Sequence, residues 1–583
     1  MKRLLKYLKD YTKESILAPL FKLLEAGFEL FVPLVMAKII DQGIANRDGG
    51  TILRMGLCLV LLAAVGLASS VTAQFFAAKA AVGFATRLRE ALFGHIQSLS
   101  FTNMDKAGTS TMITRMTSDV NQVQSGVNMV LRLFLRSPII VFGAMIMAFT
   151  IDVKSALIFV VAIPLLAVIV FGIMLITIPL YKKVQGGLDK VLGITRENLT
   201  GVRVIRAFHQ EDKETDVFVQ ENEKLTDIQM FVGKISACMN PFTYIIVNAA
   251  IIALIYTGAI KVNLGMLTQG EVIAILNYMS QILVELVKLA NLIILTTKAV
   301  ACADRLAQVL EIPAGEEARV SEQGVVKPAS KEGEQTPFLV FDHVSLTYEG
   351  AGESTLKDIH FTVNKGETIG IIGGTGSGKS SLVNLIPAFY PVSEGTIFLE
   401  GKNLQEYDKA ELRNRMGIVP QKAVLFAGTV RSNLLWGKEN ATEEELWQAL
   451  EIAQAKEIVE NKEGKLDAVI AQNGRNLSGG QRQRLSIARA LVRKPEILIL
   501  DDSASALDYA TDAKLRQSIQ RIEGGVTTFI VSQRASSIRH ADKIIVLDDG
   551  EMAGIGTHSE LLANCGVYQE IYYSQYPDEK PEV

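Results

Sequence analysis

Residues 477–508 read LSGGQRQRLSIARALVRKPEILILDDSASALD, and this stretch decides the fold of the carboxyl-terminal half of the chain. A glycine-rich turn, Leu477–Gln481, precedes a helical segment, and the apolar run Ile497–Leu500 then ends at the paired carboxylates Asp501 and Asp502. A buried strand that brings a carboxylate to its carboxyl end, behind a glycine-rich turn that opens a helix, is how phosphate-binding sites are assembled. The stretch therefore predicts an α/β domain that binds a nucleotide.

A second glycine-rich segment, Gly373–Ser380 (GGTGSGKS), directly follows the apolar run Thr368–Ile372 and matches the P-loop pattern. The glycines of such a loop let backbone N–H groups surround phosphates, while Lys379 reaches the terminal phosphates and the Ser380 hydroxyl ligates Mg²⁺. We therefore expect ATP and Mg²⁺ as cofactors. The residues predicted to contact ATP here are Gly373, Gly374, Thr375, Gly376, Ser377, Gly378, Lys379, Ser380 and Ser381.

Composition limits the class of protein. The chain has 583 residues, too many for one hydrophobic core, so several domains are expected. Hydrophobic residues make up 49% of it and the mean hydropathy is +0.25, which indicates membrane spans. A net charge of −3 gives no sign of a nucleic-acid partner. The four cysteines lie far apart, so we expect reduced structural thiols rather than a disulfide framework or a metal site: Cys58, Cys238, Cys302 and Cys565.

Six apolar runs precede the nucleotide-binding domain, each near the ~20 residues that a helix needs to cross a bilayer. They are 16–40, 55–78, 133–150, 156–180, 241–260 and 272–295. The short intervals between them hold few basic residues, whereas the long intervals 79–132 and 181–240 are rich in Lys and Arg. Because loops rich in Lys and Arg tend to stay on the cytoplasmic side of a membrane, we expect the long intervals and both termini to be cytoplasmic. The first 14 residues, MKRLLKYLKDYTKE, suit a basic amphipathic helix on the membrane surface, or alternatively a disordered basic tail.

These features together resemble the ATP-binding cassette (ABC) family, and specifically a half-transporter of the exporter type. The resemblance covers essentially the whole chain. Residues 101–119 and 201–208 resemble the two intracellular loops, which in the family carry short coupling helices that press on the nucleotide-binding domains. The implied partners are a second half-transporter subunit and membrane lipids, and the implied location is the plasma membrane of a bacterium.

The expected fold class is a multidomain membrane protein, with an all-α six-helix transmembrane domain followed by an α/β P-loop nucleotide-binding domain. We place the transmembrane domain at residues 1–311 and the ATP-binding cassette at 338–575. Residues 312–337 have low apolarity and no periodicity, so a linker is expected there, and residues 576–583 are expected to be a frayed tail.

The resemblance also assigns roles outside the P-loop. Tyr348 stands where the family places an aromatic that stacks on adenine, and Gln421 where its Q-loop glutamine touches Mg²⁺. Asp501 matches the Walker B carboxylate that holds Mg²⁺. In the family the LSGGQ motif contacts the ATP of the opposite subunit. In this chain its residues are Ser478, Gly479, Gly480 and Gln481.

Two positions depart from the family pattern. Asp502 stands where a glutamate orients the attacking water, and its carboxylate falls short by about 1.5 Å, where misplacement by about 1 Å can cost ~10²-fold in rate. Gln533 stands where a histidine touches the γ-phosphate, and glutamine cannot carry the positive charge available to histidine. Both changes accompany an intact LSGGQ, which favours a heterodimer with two unequal ATP sites. The site on this chain's P-loop would be weak, and the site that combines its LSGGQ with a partner's glutamate and histidine would be competent. A homodimer would have two weak sites.

Ionisable and amide residues inside the apolar runs are candidates for a substrate cavity, since such groups usually face the protein interior or a water-filled space. Asn277, Gln281, Glu285 and Lys288 share one face of the sixth run, and Glu25 and Glu29 lie in the first. The alternative is interhelical hydrogen bonding, with Glu285 and Lys288 neutralising each other.

The function expected from the resemblance is ATP-driven export of hydrophobic or amphipathic compounds, as in multidrug exporters. Within transport, a lipid, peptide or glycolipid exporter stays open, because a fold does not determine its cargo. Outside transport, the alternative is a regulatory or sensor subunit that binds ATP without moving a substrate. The altered positions 502 and 533 favour that alternative, whereas the intact LSGGQ and coupling loops oppose it.

Overall fold

The structure is a computed structural model that describes residues 2–313, 315 and 337–579. The described chain divides into two compact units, one formed by residues 2–98 with 107–313 and the other by 99–106 with the residues from 315 onward. Most of the predicted linker, 312–337, and residues 580–583 of the predicted tail lie outside the described residues.

The first unit is helical. In chain order the helices up to residue 311 are α1 (Thr12–Lys38), α2 (Gly49–Gln97), α3 (Phe101–Ala107), α4 (Thr109–Thr114), α5 (Val120–Leu133), α6 (Arg136–Ile151), α7 (Val153–Thr200), α8 (Val202–Ala207), α9 (Glu211–Ala237), α10 (Met239–Asn263) and α11 (Gln269–Glu311). A 3₁₀ segment, Lys2–Tyr11, precedes α1, and π-helical segments follow α1 (Ile39–Ile44) and α4 (Arg115–Asp119).

Five helical stretches among the described residues are long and apolar enough to cross a membrane. They are Gly49–Gln97, Thr109–Ile151, Val153–Thr200, Glu211–Asn263 and Gln269–Glu311. The first predicted span also forms a helix, α1, of 27 residues. It is not among the five, and it differs from them in the three charged residues near its middle, Lys22, Glu25 and Glu29.

The short connections between these helices carry helix-capping residues. Asp48 accepts a hydrogen bond from the Gly50 N–H (2.9 Å) before α2, and Asp152 accepts one from the Ser155 N–H (2.7 Å) before α7. At the start of α11, Thr268 forms a reciprocal capping box with Glu271. Capping satisfies N–H groups that have no partner within the helix, so the chain can reverse direction over few residues.

The second unit is α/β. Its strands are β1 (Leu339–Leu346), β2 (Leu356–Val363), β3 (Thr368–Gly373), β4 (Glu394–Leu399), β5 (Lys402–Asn403), β6 (Met416–Val419), β7 (Gly428–Thr429), β8 (Val469–Ile470), β9 (Ile497–Asp501), β10 (Thr527–Val531), β11 (Lys543–Asp548) and β12 (Glu551–Gly556). Its helices are α12 (Lys379–Leu385), α13 (Lys409–Asn414), α14 (Val430–Leu434), α15 (Glu443–Ile452), α16 (Lys456–Glu460), α17 (Gly479–Val492), α18 (Tyr509–Gln520), α19 (Ala535–Ile538), α20 (His558–Asn564) and α21 (Gly566–Gln575).

The main sheet of this unit runs in the order β12-β11-β3-β10-β9-β6, with β12 antiparallel at one edge and the other strands parallel. A second, antiparallel sheet runs in the order β2-β1-β4-β5. Strand β9 is buried on both faces, since Ile497 and Ile499 pack into one hydrophobic cluster while Leu498 and Leu500 pack into another. A sheet covered on both faces gathers its functional residues at the carboxyl ends of its strands.

Two peripheral segments also pack within the second unit. The α3 segment packs there through Phe101, whose ring lies 4.4 Å from that of Phe389, and Tyr390 donates a hydrogen bond to Asp105 (2.6 Å). At the other end, residues 577–579 were expected to fray but form a 3₁₀ turn. The Tyr572 hydroxyl donates to Glu579 (2.5 Å), which holds this turn against α21.

Candidate functional site

The P-loop segment connects the buried end of β3 to the start of α12. Gly376 and Gly378 have φ angles of +88° and +92°, which glycine adopts without the steric penalty of a side chain. At Gly373 a Cβ atom would lie 2.1 Å from the Leu547 carbonyl oxygen, so a larger residue has no room. Backbone N–H groups at the start of a helix make this loop a suitable cradle for an anion.

Lys379 is buried at the first position of α12 and folds back over the loop. Its ammonium group donates hydrogen bonds to the carbonyl oxygens of Gly373 (2.9 Å) and Gly374 (2.5 Å). Burial lowers the pKa of Lys379, while the negative charges of Asp502 and Asp501 act in the opposite direction. The lysine is thus held in place by weak acceptors that an anionic ligand can replace.

Asp501 ends β9 and faces the same loop. The Ser380 hydroxyl donates a hydrogen bond to it (3.0 Å). Burial raises the pKa of Asp501, and the neighbouring charge of Asp502 adds to that rise. A buried carboxylate beside a hydroxyl offers two oxygen ligands to a hard divalent cation, which would also relieve the cost of burying the charge.

One cavity of about 350 Å³ brings ten of the predicted site residues together, and its volume is within the ~300–1,000 Å³ range of small-molecule sites. Its lining includes the predicted residues Thr375, Gly376, Gly378, Lys379, Ser380, Ser381, Gln421, Asp501, Asp502 and Gln533. Thr355, Val531 and Ser532 also line it and were not predicted. Thr355 lies outside every motif, so nothing in the sequence indicated it, whereas Val531 and Ser532 continue β10 toward Gln533.

The two departing positions occupy the carboxyl ends of neighbouring strands. Asp502 has a φ of +44°, and its N–H donates to the Val531 carbonyl (3.0 Å), which joins the ends of β9 and β10. Gln533 follows β10, and its carbonyl accepts a hydrogen bond from the Gln575 side chain (2.8 Å). Hydrogen bonds therefore hold the backbone at both positions. The length and charge of each side chain then determine its contact with a ligand in the cavity.

Tyr348 lies beside the cavity rather than in its lining. Its hydroxyl donates to Ser381 on α12 (3.0 Å), and its ring meets Tyr390 edge-on at 5.0 Å. The predicted adenine-stacking residue is therefore attached to the helix that follows the P-loop. It is half-buried in the cluster that the antiparallel sheet forms.

The LSGGQ residues do not line this cavity. Ser478 caps α17, and the Gln481 side chain accepts a hydrogen bond from the Ser478 N–H (3.0 Å). Ser478 and Gly479 are exposed, whereas Gly480 and Gln481 are half-buried. A Cβ atom added at Gly479 would meet no heavy atom within 4 Å. The start of α17 thus presents Ser478 and Gly479, with open space beside Gly479, on the surface of this unit.

Four of the six candidate cavity residues, Glu25, Glu29, Glu285 and Lys288, belong to an ion network in the first unit. Arg136, at the start of α6, bonds to Glu285 (2.6 Å) and Glu29 (2.7 Å) and lies 3.9 Å from Glu25. Lys288 bonds to Glu285 (2.7 Å), and Lys22 to Glu25 (2.5 Å).

Glu285, predicted to line a cavity, is instead only 3% exposed. The neutralisation by Lys288 that the sequence left open as an alternative is the arrangement found. Asn277 is exposed, and Gln281 is half-buried with its Oε1 buried and unbonded. Sequence reasoning missed Arg136, although a cation inside the apolar run 133–150 was a detectable signal.

Comparisons with known proteins cover both units. Residues 15–286 match the family described as "ABC transporter transmembrane region", and residues 356–505 match the family described as "ABC transporter". The chain is 36% identical over 582 residues to "Uncharacterized ABC transporter ATP-binding protein YfiB" of Bacillus subtilis, covering 100% of both chains. It is 32% identical over 583 residues to "Probable multidrug resistance ABC transporter ATP-binding/permease protein YheI" of the same organism, covering 99% of this chain and 97% of the relative.

Among solved structures, the chain matches the one described as "Structure of a bacterial Atm1-family ABC exporter with ATP bound". The TM-score is 0.78 with 23% sequence identity, and the match covers 98% of this chain and 99% of the other. At this identity the match establishes a shared fold.

The ion network predicts a large stability effect for Arg136→Met. This change leaves Glu285 and Glu29 without their shared cation, and breaking a buried pair from one side costs about 3–5 kcal/mol. We expect the melting temperature of the detergent-solubilised chain to fall by several degrees. The matched control is Lys224→Met, because the Lys224–Glu221 pair has the same charge pattern but Lys224 is 66% exposed, and surface pairs contribute about 1 kcal/mol or less. Equal melting temperatures for the two variants would contradict a stabilising role for the network.

Proposed function

The chain belongs to the ABC transporter family as a half-transporter with the exporter fold, and we propose that it is one subunit of an ATP-driven exporter of hydrophobic or amphipathic compounds. In this proposal the exporter lies in the plasma membrane with both termini in the cytoplasm, and its second subunit is a different half-transporter. The first unit carries the substrate and the second binds ATP.

The residues around the P-loop fit an ATP–Mg²⁺ complex. Ser380 and Asp501 supply the oxygen ligands that Mg²⁺ prefers, and Gln421 lines the same cavity. A bound Mg²⁺ would neutralise negative charge on the phosphates. Lys379 would exchange its carbonyl partners for phosphate oxygens, while the loop N–H groups position the phosphate chain.

The observation that carries the proposal of unequal sites is the lining of this cavity. Asp502 and Gln533 share it with Lys379 and Ser380. A short carboxylate and a neutral amide thus stand where the family has a glutamate and a histidine. An aspartate here falls about one C–C bond, or about 1.5 Å, short of a glutamate. The amide of Gln533 donates a hydrogen bond but offers no cationic charge to the transition state. The site built on this P-loop therefore binds ATP and hydrolyses it slowly.

The surface position of the LSGGQ residues supports assembly with a second subunit. The start of α17 is exposed and lies outside this chain's own cavity, so its N–H groups are available to a phosphate held by another subunit. A partner with a complete catalytic pair would gain an intact LSGGQ from this chain. The gene next to this one is a simple check, since a half-transporter with glutamate and histidine at positions matching 502 and 533 is expected there.

The substrate class rests on similarity and on the polar residues of the first unit. The relative YheI is named for multidrug resistance, which supports hydrophobic or amphipathic compounds as substrates. Glu29 has a side chain 40% exposed, and Asn277 is also exposed, so these two are the proposed polar contacts for a cationic or polar part of the substrate. A lipid or peptide exporter is the alternative within transport.

A regulatory or sensor subunit is the second candidate function, favoured by the same two residues, Asp502 and Gln533. Measuring substrate uptake into inside-out vesicles that contain this chain and its partner distinguishes the exporter from the sensor. ATP-dependent accumulation of amphipathic dyes supports the exporter. Its absence with every compound tested, while ATP still binds to this chain, supports the sensor.

Unequal sites predict unequal effects of substitutions in the purified pair. Gly479→Asp places a carboxylate beside the partner's γ-phosphate, so steady-state ATP hydrolysis should fall about 100-fold, the scale of losing one donor to a transition state. Asp502→Asn acts on a site that is already slow and should lower hydrolysis less than about twofold.

The matched control for the signature variant is Gly566→Asp. Gly566 is also exposed, also begins a helix (α21), and also has no heavy atom within 4 Å of an added Cβ. This control should keep normal hydrolysis. If Asp502→Asn is as damaging as Gly479→Asp, the site on this chain is the catalytic one and the proposal of a weak site is wrong.

The proposed adenine contact is tested by two changes at Tyr348. Tyr348→Ala removes the ring and should weaken ATP binding by about 1 kcal/mol, close to fivefold. Tyr348→Phe keeps the ring but loses the hydrogen bond to Ser381, so its affinity should stay near that of the unmodified chain. If Tyr348→Phe binds ATP as weakly as Tyr348→Ala does, the tyrosine acts by holding α12 rather than by stacking on adenine. Titration with a fluorescent ATP analogue measures the affinity of the unmodified chain and of both variants.

A further inference from the structure

Two of the six histidines in the chain, His343 and His360, lie side by side on the antiparallel sheet of the second unit. Their rings are 5.3 Å apart between centroids. Neither residue lines the cavity at the P-loop, and neither belongs to a sequence motif named above. Their proximity therefore calls for an explanation separate from ATP binding.

The local strand geometry turns both side chains to the same side. Phe341 pairs with Phe361 and Val344 pairs with Ile359, so two residues of β1 face one residue of β2, which is a β-bulge. In a regular ladder His343 would lie opposite Ile359 and point into the core. The bulge gives His343 a φ of +50° and exposes it beside His360.

A second irregularity places a carboxylate in the same group. Asp358 precedes His360 by two residues in β2, and both side chains are exposed. Its φ is +49°, and its N–H donates to the Ser345 hydroxyl (3.1 Å), which anchors the backbone. The Asp358 carboxylate lies 2.5 Å from Nδ1 of His343. The ligand atoms of all three side chains lie within 4.8 Å of one another.

We propose that His343, Asp358 and His360 bind a divalent transition-metal ion, of which Zn²⁺ is the representative probe. Two imidazoles and one carboxylate suit zinc, which takes such ligands at about 2.0–2.2 Å, and disfavour Mg²⁺ and Ca²⁺, which prefer oxygen ligands. The side chains of His343 and Asp358 are 67% and 70% exposed, so rotation about their side-chain bonds closes the remaining gap.

Room for a fourth ligand lies next to the three side chains. His343 and His360 line an open cavity of about 650 Å³, whose charged lining residues also include three acids, Asp342, Asp542 and Glu560, and one cation, Lys543. Water can complete a tetrahedral shell from this side, and the surrounding negative charge favours a cation.

A metal at this point would join β1 to β2 across their bulges. Strand β1 leads directly to Tyr348, and β2 begins next to Thr355 of the P-loop cavity. Because only the folded strands bring the three ligands together, metal binding stabilises the folded second unit. Metal binding would thus stabilise the pairing of β1 and β2 in the antiparallel sheet, next to the P-loop cavity.

The test is a calorimetric titration of Zn²⁺ into the detergent-solubilised full chain, free of added histidines and without nucleotide, in excess Mg²⁺. We expect one saturable Zn²⁺ site per chain, with at least a tenfold loss of affinity in His360→Gln and in His343→Gln. The unmodified chain should also melt at a higher temperature with Zn²⁺ than without it. Co²⁺ bound in place of Zn²⁺ should give visible absorption bands that His360→Gln removes.

His540→Gln is the matched control, since His540 is exposed on the same unit and stands apart from the cluster. It should keep full affinity. Without Zn²⁺, His360→Gln should melt as the unmodified chain does, which separates lost ligation from lost folding. The proposal is overturned if no saturable site is found, if His360→Gln binds as tightly as the unmodified chain, or if His540→Gln loses as much affinity as the cluster variants.

Discussion

The nucleotide site depends on the parallel pairing of β3, β10 and β9. Each of these strands is almost wholly buried, and their shared direction brings the P-loop, Gln533 and Asp501 to one edge of the sheet. Residues separated by more than 120 positions, such as Ser380 and Asp501, come within hydrogen-bonding distance only through this pairing. The hydrophobic clusters on the two faces of the sheet therefore determine the chemistry at its edge.

A different constraint organises the first unit, where charge lies among apolar helices. Arg136 joins carboxylates of α1 and α11, and the six ionisable members of the network carry three positive and three negative charges. Charges in an apolar interior persist when they are paired and hydrogen-bonded, and the Ser137 hydroxyl adds a bond to Glu285 (2.8 Å). Three members of this network, Lys22, Glu25 and Glu29, lie in the first helix, α1.

Much of the site was predictable, because its motifs are contiguous and each carries its chemistry locally. The P-loop, Asp501 and the glycine-rich turn before α17 all lie where strand and helix signals meet in the sequence. The lining residue Thr355 could not be predicted, since a lone threonine carries no signal of its own. Arg136 and Glu285 lie 149 residues apart, so only tertiary packing reveals their contact. The histidine pair depends on a β-bulge, which shifts the alternation that sequence reasoning assumes.

The central claim is that the P-loop of this chain belongs to a slow site because of Asp502 and Gln533. The most direct measurement is steady-state ATP hydrolysis by the chain purified alone, with and without the paired changes Asp502→Glu and Gln533→His. An ordinary turnover for such an enzyme is on the order of 1–10 s⁻¹. The account predicts that the unmodified chain turns over ATP well below that rate, and that the paired changes raise its turnover about tenfold or more. Turnover of 1–10 s⁻¹ by the unmodified chain, with no gain from the paired changes, would contradict it.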